Sequence, residues 1–183
     1  YGPEGQFHTG GGALEVEPRP RDPLAEGVRD LLEAAALASD AHLVREAARD
    51  SRAVKGDPTE GALVVAAAQA GLHKHELDAA RPRVHEIPFT SESKRMTTLH
   101  AGPAGVVAFA KGAPEVLLAA CTSEQTPVGA VTLDAPGRAR ILGAAQRMAG
   151  DALRVLAVAK LRDATPGNCE RGLTLLGLVG MFD

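Results

Sequence analysis

Aromatic side chains and a surplus of charge of one sign are both scarce in this sequence. Only 3% of its 183 residues are aromatic, with no tryptophan and one tyrosine. Binding of single-stranded nucleic acid commonly uses several aromatic side chains as stacking platforms, so this class of function is disfavoured. The formal net charge of -3 provides no basic field for a polyanion or an anionic membrane surface. We therefore expect no nucleic-acid partner.

Cysteine and long apolar runs are also lacking. The two cysteines, Cys121 and Cys169, lie far apart and form no CxxC pair, which gives no zinc spacing and favours a reducing, cytosolic setting. No apolar run is long enough to span a bilayer, and no signal peptide is visible. The sequence begins without methionine and ends within an apolar run. We therefore expect residues 1–183 to be a single domain excised from a longer protein.

Motifs of several enzyme classes are missing as well. The glycine-rich TGGG at 9–12 is not a Walker A loop, because neither GKS nor GKT occurs. Neither a GxSxG motif nor a kinase catalytic loop is present. His73 and His75 have no apparent third ligand beside them, so we predict no metal site. No residue is predicted to be a catalyst.

The spacing of apolar residues predicts an α/β (α+β) fold with a largely antiparallel sheet flanked by helices. Helices are predicted at about 24–39, 58–70, 74–81, 113–121 and 137–150. Strands are predicted near 84–88, 94–100, 106–111, 153–161 and 173–181, with AGPAG as a hairpin turn. Residues 1–23 are predicted to be irregular with a short strand near 14–16, and 122–136 to be a loop with one small strand. The pattern at 40–56 does not distinguish helix from strand.

The second predicted helix has clear boundary signals. Asp57 is a good N-cap, Pro58 suits the first helical position and Gly71 suits a C-terminal stop. Glu60 follows Asp57 at the offset of a capping box. The Glu60 carboxylate therefore either ties off its own helix or accepts a hydrogen bond from the exocyclic amine of a base.

Lys111 is the first candidate for ligand binding. It ends the apolar strand VVAFAK, shares a strand face with Val107 and Phe109, and precedes Gly112. Glycine lets a ligand or another backbone approach closely, and the helix that follows offers N–H groups to an anion. A flat apolar ligand with a phosphate tail would suit this place. The alternative is a strand–turn–helix corner with a solvated lysine.

The segment PFTSESKRMTT and a later arginine give further candidates. Phe89 lies at the edge of a polar loop, and Lys94 and Met96 lie on one face of the next strand. A ring, an ammonium group and a thioether together suit a purine and its phosphates, although each alone is equally explained as a core or surface residue. Arg154 interrupts an apolar strand. It either binds a phosphate or forms an ion pair with Asp151 or another acid.

In their order along the chain, these motifs resemble a known family. GDPTEGAL, PFTSESKRMTT, FAKGAPEVLLAAC, ALRVLAVA and LGLVGMFD are similar to segments of the nucleotide-binding domain of P-type cation-transporting ATPases. KGAPE is the most specific segment, and the resemblance spans essentially the whole chain. YGPEG and GMFD are similar to the type II branch, which includes calcium pumps. The resemblance implies an antiparallel sheet flanked by helices, inserted into a phosphorylation domain.

The resemblance also implies an ATP site. Phe89 corresponds to the ring that stacks on adenine, Glu60 to the acid that meets the adenine amino group, and Lys111 to the lysine at the floor of the pocket. Gly112 is expected to give clearance for the base. The remaining implied site residues border the base, the ribose or the phosphates: Lys94, Met96, Ala113, Arg154 and Leu156. The DKTGT segment that carries the phosphorylated aspartate is absent, so this piece is expected to bind ATP without hydrolysing it efficiently.

For the parent protein, the resemblance implies a membrane pump that hydrolyses ATP to move cations, with Ca²⁺ as the expected ion. The expected partners are ATP or ADP, Mg²⁺ in the parent, and the phosphorylation and actuator domains of the same chain, on the cytoplasmic face of a membrane. The fragment itself is expected to be monomeric and to bind ATP with a dissociation constant on the order of 0.1 to 1 mM, or about -4 to -5.5 kcal/mol. Ser91 stands where many calcium pumps have a phosphate-contacting arginine. The alternative function is therefore an interaction or regulatory module with weak or lost nucleotide binding.

Overall fold

The computed structural model describes residues 26–46 and 51–182. Its helices are α1 (Glu26–Leu37), α2 (Pro58–Gln69), α3 (Lys74–Ala80), α4 (Pro114–Ala120) and α5 (Ala135–Gly150). Its strands are β1 (His42–Glu46), β2 (Ser51–Lys55), β3 (Arg83–Ile87), β4 (Arg95–Gly102), β5 (Gly105–Gly112), β6 (Cys121–Thr126), β7 (Gly129–Thr132), β8 (Arg154–Arg162) and β9 (Leu173–Met181). All five predicted helices and all five predicted strands from 84 onward are confirmed. The short strand predicted near 14–16 lies outside the described residues.

Seven of the strands form one sheet, in the order β3-β4-β5-β8-β9-β6-β7. Neighbouring strands in this sheet are antiparallel, with the exception of the parallel pair β6 and β9. Strands β1 and β2 form a separate two-stranded antiparallel sheet. The α/β fold class with a largely antiparallel sheet flanked by helices is therefore confirmed.

Different helices cover the two faces of the large sheet. Helices α1 and α2 pack on one face, in a cluster that includes Leu31, Leu37, Leu63, Phe109, Val158 and Leu176. Helices α4 and α5 pack on the other, in a cluster that includes Leu117, Ile141, Ala110, Ala159 and Leu173. Because side chains alternate along a strand, the face of β5 that carries Phe109 also carries Lys111. Lys111 is thus directed toward α1 and α2.

The predicted boundary signals of α2 are confirmed. The Asp57 carboxylate accepts from the backbone N–H groups of Thr59 and Glu60, at 2.9 and 3.1 Å, and Pro58 is the first helical residue. Gly71 follows the helix with a φ of +78°, a left-handed conformation that suits glycine. The first turn of α2, which carries Glu60, is therefore held in place by its own cap.

The segment 122–136 differs from its prediction. It continues β6 from Cys121 and forms a hairpin with β7, whereas the sequence predicted a loop with one small strand. Strand β6 is largely polar and β7 is a short edge strand of four residues, so neither shows the alternation that marks a half-buried strand. The Thr126 hydroxyl donates to the Gly129 carbonyl at 2.6 Å and closes the turn between the strands. Residues 40–56, where the pattern did not decide, contain the β1–β2 hairpin.

Candidate functional site

Lys111 is a buried cation at the last position but one of β5. It is 7% exposed, and its Nζ donates to Glu60 Oε1 at 2.6 Å and to Ser39 Oγ at 2.9 Å. Burial lowers the pKa of Lys111 below the ordinary lysine value, and the hydrogen bond and charge of Glu60 oppose this shift. The alternative of a solvated lysine at a strand–turn–helix corner is therefore wrong. The corner holds an ion pair shielded from water.

Glu60 connects α2 to the segment that follows α1. Its Oε2 accepts from the backbone N–H groups of Asp40 and Ala41, at 2.7 and 3.0 Å, while its Oε1 accepts from Lys111. The alternative that Glu60 ties off only its own helix is therefore wrong. Asp57 caps the helix, and the Glu60 side chain joins α2, the 39–41 turn and β5.

Met96 and Val158 lie on either side of Lys111 in the sheet. Met96 in β4 pairs directly with Lys111, and Val158 in β8 pairs with it from the other side. Met96 is 3% exposed. Since directly paired residues share a face of the sheet, the ammonium group sits in a row with a thioether and an aliphatic side chain. The surroundings of the ion pair within the sheet are therefore apolar.

Gly112 is required by the neighbouring strand. A Cβ added there would lie 2.5 Å from the Lys94 carbonyl oxygen and 2.7 Å from the Arg95 Cβ. Of the two uses predicted for this glycine, the structure shows close approach of another backbone. The contact with β4 requires glycine by itself, because β4 occupies the space that a side chain would take. Clearance for a base stays a prediction. Ala113 next to it donates its N–H to the Lys94 carbonyl at 3.0 Å, which fixes the start of β4 against the start of α4.

The loop between β3 and β4 carries Phe89 and Lys94. Phe89 is 60% exposed, so its ring lies at the surface. Thr90 and Ser93 close the loop, because the Ser93 N–H donates to Thr90 Oγ1 at 2.9 Å and the Lys94 N–H donates to the Thr90 carbonyl at 2.8 Å. Lys94 has a φ of +49°, a conformation that a non-glycine residue adopts only when its surroundings impose it. The loop is therefore a turn closed by its own hydrogen bonds, and it ends beside Gly112 and Ala113.

Arg154 and Leu156 extend the same face along β8. Arg154 is exposed at the first position of the strand, and its Nη1 donates to Thr59 Oγ1 at 2.9 Å. Leu156 is half-buried and packs against the cluster beneath α1. Thr59 and Glu60 are neighbours in the first turn of α2, so Arg154 lies next to the element that carries the ion pair. The structure thus brings Glu60, Met96, Lys111 and Arg154 to one end of the sheet. Phe89 lies in the adjoining loop between β3 and β4.

Two residues of this corner were not found from the sequence. Ser39 is fully buried, with its hydroxyl between Lys111 Nζ and the Ala35 carbonyl. Arg83 in β3 donates to the carbonyls of Leu37 and Ser39, at 3.1 and 2.9 Å. In the sequence, a serine at the end of a helical pattern and an arginine in a short exposed strand do not indicate a site. Their roles depend on where α1 ends relative to β3, which the sequence pattern does not report.

The described residues also bear on the questions of a metal site, a reactive thiol and a membrane-spanning helix. Among these residues no group of three or more His, Cys, Asp or Glu side chains is placed to hold a metal ion. Burial raises the pKa of Cys121 to about 12 and also raises that of Cys169, which disfavours the nucleophilic thiolate form of both buried side chains. No described helix is both long and apolar enough to cross a membrane. A groove of about 620 Å³ lies on the opposite side of β4, between α4 and residues 170–171, and none of the predicted site residues lines it.

Comparison with known proteins identifies the domain type to which this chain belongs. Residues 27–183 match the family model of the P-type ATPase cytoplasmic domain N. The cation-transporting ATPase pma1 of Synechocystis sp. is 39% identical over 191 residues, which cover 100% of this chain and 20% of that protein. The probable cation-transporting ATPase F of Mycobacterium bovis is 40% identical over 157 residues, covering 82% of this chain and 17% of the relative.

A named calcium transporter is among the relatives. The calcium-transporting ATPase 1 of Bacillus cereus is 35% identical over 145 residues, which cover 77% of this chain and 16% of that protein. The chain thus spans about a fifth or less of the length of the curated relatives it matches. It belongs to the family of P-type ATPase cytoplasmic N domains.

Proposed function

We propose that this domain binds ATP through its adenine at the Lys111 corner. The observation that carries the proposal is the buried Glu60–Lys111 pair at the sheet end. A buried ion pair gives little net stability compared with apolar residues of the same size, so its presence calls for another explanation. Two of the three ammonium donors of Lys111 are directed to described partners, which leaves one for a ring nitrogen of a base. A carboxylate oxygen accepts more than one hydrogen bond, so Glu60 has capacity for the exocyclic amine of adenine.

The other predicted site residues supply groups that suit the face of the base and the phosphates. Phe89 presents an exposed ring on which a base can stack. Met96 and Leu156 provide apolar surroundings on the same face of the sheet. Lys94 and Arg154 are exposed cations at the rim, where phosphates would remain in contact with water. In this arrangement the base is held by shape and hydrogen bonds, and the phosphates are held by screened surface charges.

For the parent protein, we propose that this domain presents the γ-phosphate of ATP to a phosphorylation domain of the same longer chain. The support is membership of the N-domain family and relatives named as cation-transporting ATPases. Ca²⁺ is proposed as the transported ion, because one relative is named a calcium-transporting ATPase. Mg²⁺ would enter with ATP in the parent protein. The same membership supports placement of the domain on the cytoplasmic face of a membrane.

The test of ATP binding uses exposed residues, so that the variants keep the fold. Amide resonances of the 183-residue chain are followed during titration with ATP for the wild type, Phe89→Ala, Lys94→Gln and Val128→Ala. Stacking of a base on an aromatic ring contributes about 1 to 3 kcal/mol, so Phe89→Ala is expected to weaken binding by roughly fivefold or more. Val128 is an exposed apolar residue in the β6–β7 turn, at the other edge of the sheet, and its removal should leave the affinity unchanged.

Two results would contradict the proposal. One is an unchanged affinity for ATP in a folded Phe89→Ala variant. The other is an absence of resonance shifts in the wild type with ATP, ADP and GTP at millimolar concentrations. The second result would favour the alternative function, an interaction or regulatory module, for which Ser91 is the hint in the sequence.

A further inference from the structure

We infer that Arg83 is a positioning residue for adenine recognition, because it holds the 39–41 turn that orients the Glu60 carboxylate. The inference rests on the proposed function, since it concerns how the proposed contact to the adenine amino group is kept in place. Arg83 lies in β3 and acts on the site through the turn. No sequence motif of the domain includes it.

Arg83 donates four hydrogen bonds, three of them to the end of α1 and the turn after it and one to Glu86 in its own strand. Its Nη2 donates to the carbonyls of Leu37 and Ser39, at 3.1 and 2.9 Å. Its Nη1 donates to Asp40 Oδ1 at 2.6 Å and to Glu86 Oε2 at 2.8 Å. The last carbonyls of a helix have no partner within the helix, so the guanidinium group supplies the missing donors. The side chain is only 24% exposed, which limits competition from water.

The other side of the same turn is bound to the proposed site. The backbone N–H groups of Asp40 and Ala41 both donate to Glu60 Oε2, and Ser39 Oγ accepts from Lys111. Residues 39–41 therefore connect Arg83 to both members of the ion pair: Arg83 binds this turn on one side, and Glu60 and Lys111 bind it on the other. The carboxylate plane of Glu60 is fixed by donors on two sides, the turn on one and Lys111 on the other.

Loss of Arg83 is expected to change selectivity for the base. Without the guanidinium group, the carbonyls at the end of α1 and the Asp40 carboxylate lose their shared partner, and the turn is no longer held against β3. The Glu60 carboxylate can then rotate away from the orientation in which it meets an exocyclic amine. ATP carries an amino donor at position 6 of the base, whereas ITP carries an oxygen acceptor there. The ratio of the two affinities therefore reports the orientation of Glu60.

Arg138 provides a matched control on the opposite face of the sheet. It donates through Nη1 to the Leu118 carbonyl and through Nη2 to the Cys121 carbonyl at 2.6 Å, so it caps the end of α4 as Arg83 caps the end of α1. Removal of Arg138 therefore disrupts an equivalent helix cap at a place that does not contain the ion pair. A purely structural role for Arg83 predicts the same result for both variants.

The experiment measures dissociation constants for ATP and ITP with the 183-residue chain in four variants: Arg83→Gln, Arg83→Lys, Arg138→Gln and Glu60→Gln. A hydrogen bond to a charged group supports a preference of about tenfold or more, so the wild type should favour ATP over ITP by this factor. Arg83→Gln should lose most of this preference and approach Glu60→Gln. Arg83→Lys should retain part of it, because one ammonium group cannot serve four acceptors. Arg138→Gln should keep the wild-type ratio even where its melting temperature falls.

The possible failures of the inference and of the proposed function are distinguishable. If the wild type binds neither nucleotide, the proposed function fails and the inference fails with it. If Glu60→Gln loses the preference and folded Arg83→Gln keeps it, the inference alone is wrong. It is also wrong if Arg138→Gln loses the preference as Arg83→Gln does. If Arg83→Gln does not fold, Arg83→Lys decides: an unchanged ratio with unmoved amide resonances of Asp40 and Ala41 overturns the inference.

Discussion

At the scale of single residues, burial determines what Lys111 can do. Its charge is removed from water and balanced by Glu60, with Ser39 as a second acceptor. The attraction within such a pair largely offsets the desolvation of its members, so the net gain in stability is small. Ligand recognition therefore explains the pair better than stability does.

Removal of one member of the pair should lower the free energy of unfolding far more than replacement of both members. Lys111→Ala leaves the Glu60 carboxylate buried beside apolar side chains, and we expect a loss of about 3 to 5 kcal/mol in the free energy of unfolding. The double variant Glu60→Gln with Lys111→Met should recover most of this loss, because no unpaired charge remains and the glutamine oxygen still accepts from Asp40 and Ala41. Urea unfolding of the two variants and the wild type tests this. A single variant as stable as the double variant would contradict the burial of the charge.

We expect the buried ring of His100 to make the stability of the domain depend on pH. Its Nδ1 donates to the Arg81 carbonyl and its Nε2 lies 2.9 Å from Thr98 Oγ1, with the ring buried against Phe109. Burial lowers the pKa of His100 below its ordinary value of about 6.5. Below that pH the unfolded chain binds a proton that the folded chain does not, so stability falls as the pH is lowered.

The stability lost at low pH should depend on this one ring. Between pH 7.5 and 5.5, we expect wild-type stability to fall more than that of His100→Gln, by at most about 1.4 kcal/mol per pH unit below 6.5. Urea unfolding at both pH values gives the difference. The two proteins differ at this one position, so the difference between their pH profiles reports His100. Parallel pH profiles for the two proteins would show that protonation of His100 does not oppose folding.

At the scale of elements, helices and apolar strands could be predicted because their burial repeats along the sequence. The capped start of α2 and the strand that ends at Lys111 are examples, and both place residues of the candidate site. The β6–β7 hairpin could not be predicted in the same way, because its side chains are mostly polar and its position depends on pairing with β9. Arg83 and Ser39 were missed for a related reason: their contacts join α1 to β3 and β5, which are distant in sequence. Long-range pairing leaves no periodic signal.

The N-cap of α2 links helix stability to the candidate site. Asp57→Ala removes the acceptor for the N–H groups of Thr59 and Glu60, and loss of such a cap costs about 0.5 to 2 kcal/mol. Fraying of the first turn displaces Glu60, so ATP affinity should fall as well. Asp134 caps α5 by accepting from the Gly137 N–H at 2.8 Å, on the other face of the sheet. Asp134→Ala should cost a similar amount of stability and leave ATP affinity unchanged.

Thermal unfolding and ATP titration of both cap variants separate the two effects. An equal loss of ATP affinity in Asp57→Ala and Asp134→Ala would mean that affinity follows overall stability. An unchanged affinity in Asp57→Ala would mean that the first turn of α2 does not position a ligand contact.

At the scale of the whole molecule, the sheet order gathers the candidate site at one end. Strands β4, β5 and β8 are adjacent, so residues from three segments of the chain meet beside the first turn of α2. The ion pair of this corner is buried, whereas the cations Lys94 and Arg154 lie exposed at its rim. In the proposed complex, this division would mean that the nucleotide is recognised mainly by its base and that the phosphates extend toward solvent.

The 183-residue chain should therefore bind ATP and ADP almost equally and hydrolyse neither. Lys94 and Arg154, the described cations proposed for the phosphates, are both exposed, and an exposed ion pair contributes about 0 to 1 kcal/mol. The two dissociation constants should therefore differ by less than about fivefold. Both should weaken with added salt, because charges at the rim are screened. Isothermal titration of each nucleotide at low and high salt measures this, and phosphate release measures hydrolysis. A preference for ATP well beyond fivefold would place a γ-phosphate site inside this chain, and measurable turnover would mean that the chain supplies catalytic groups of its own. Similar affinities without turnover would instead support a domain that delivers ATP by holding its base, with the chemistry of the phosphate left to another part of the parent protein.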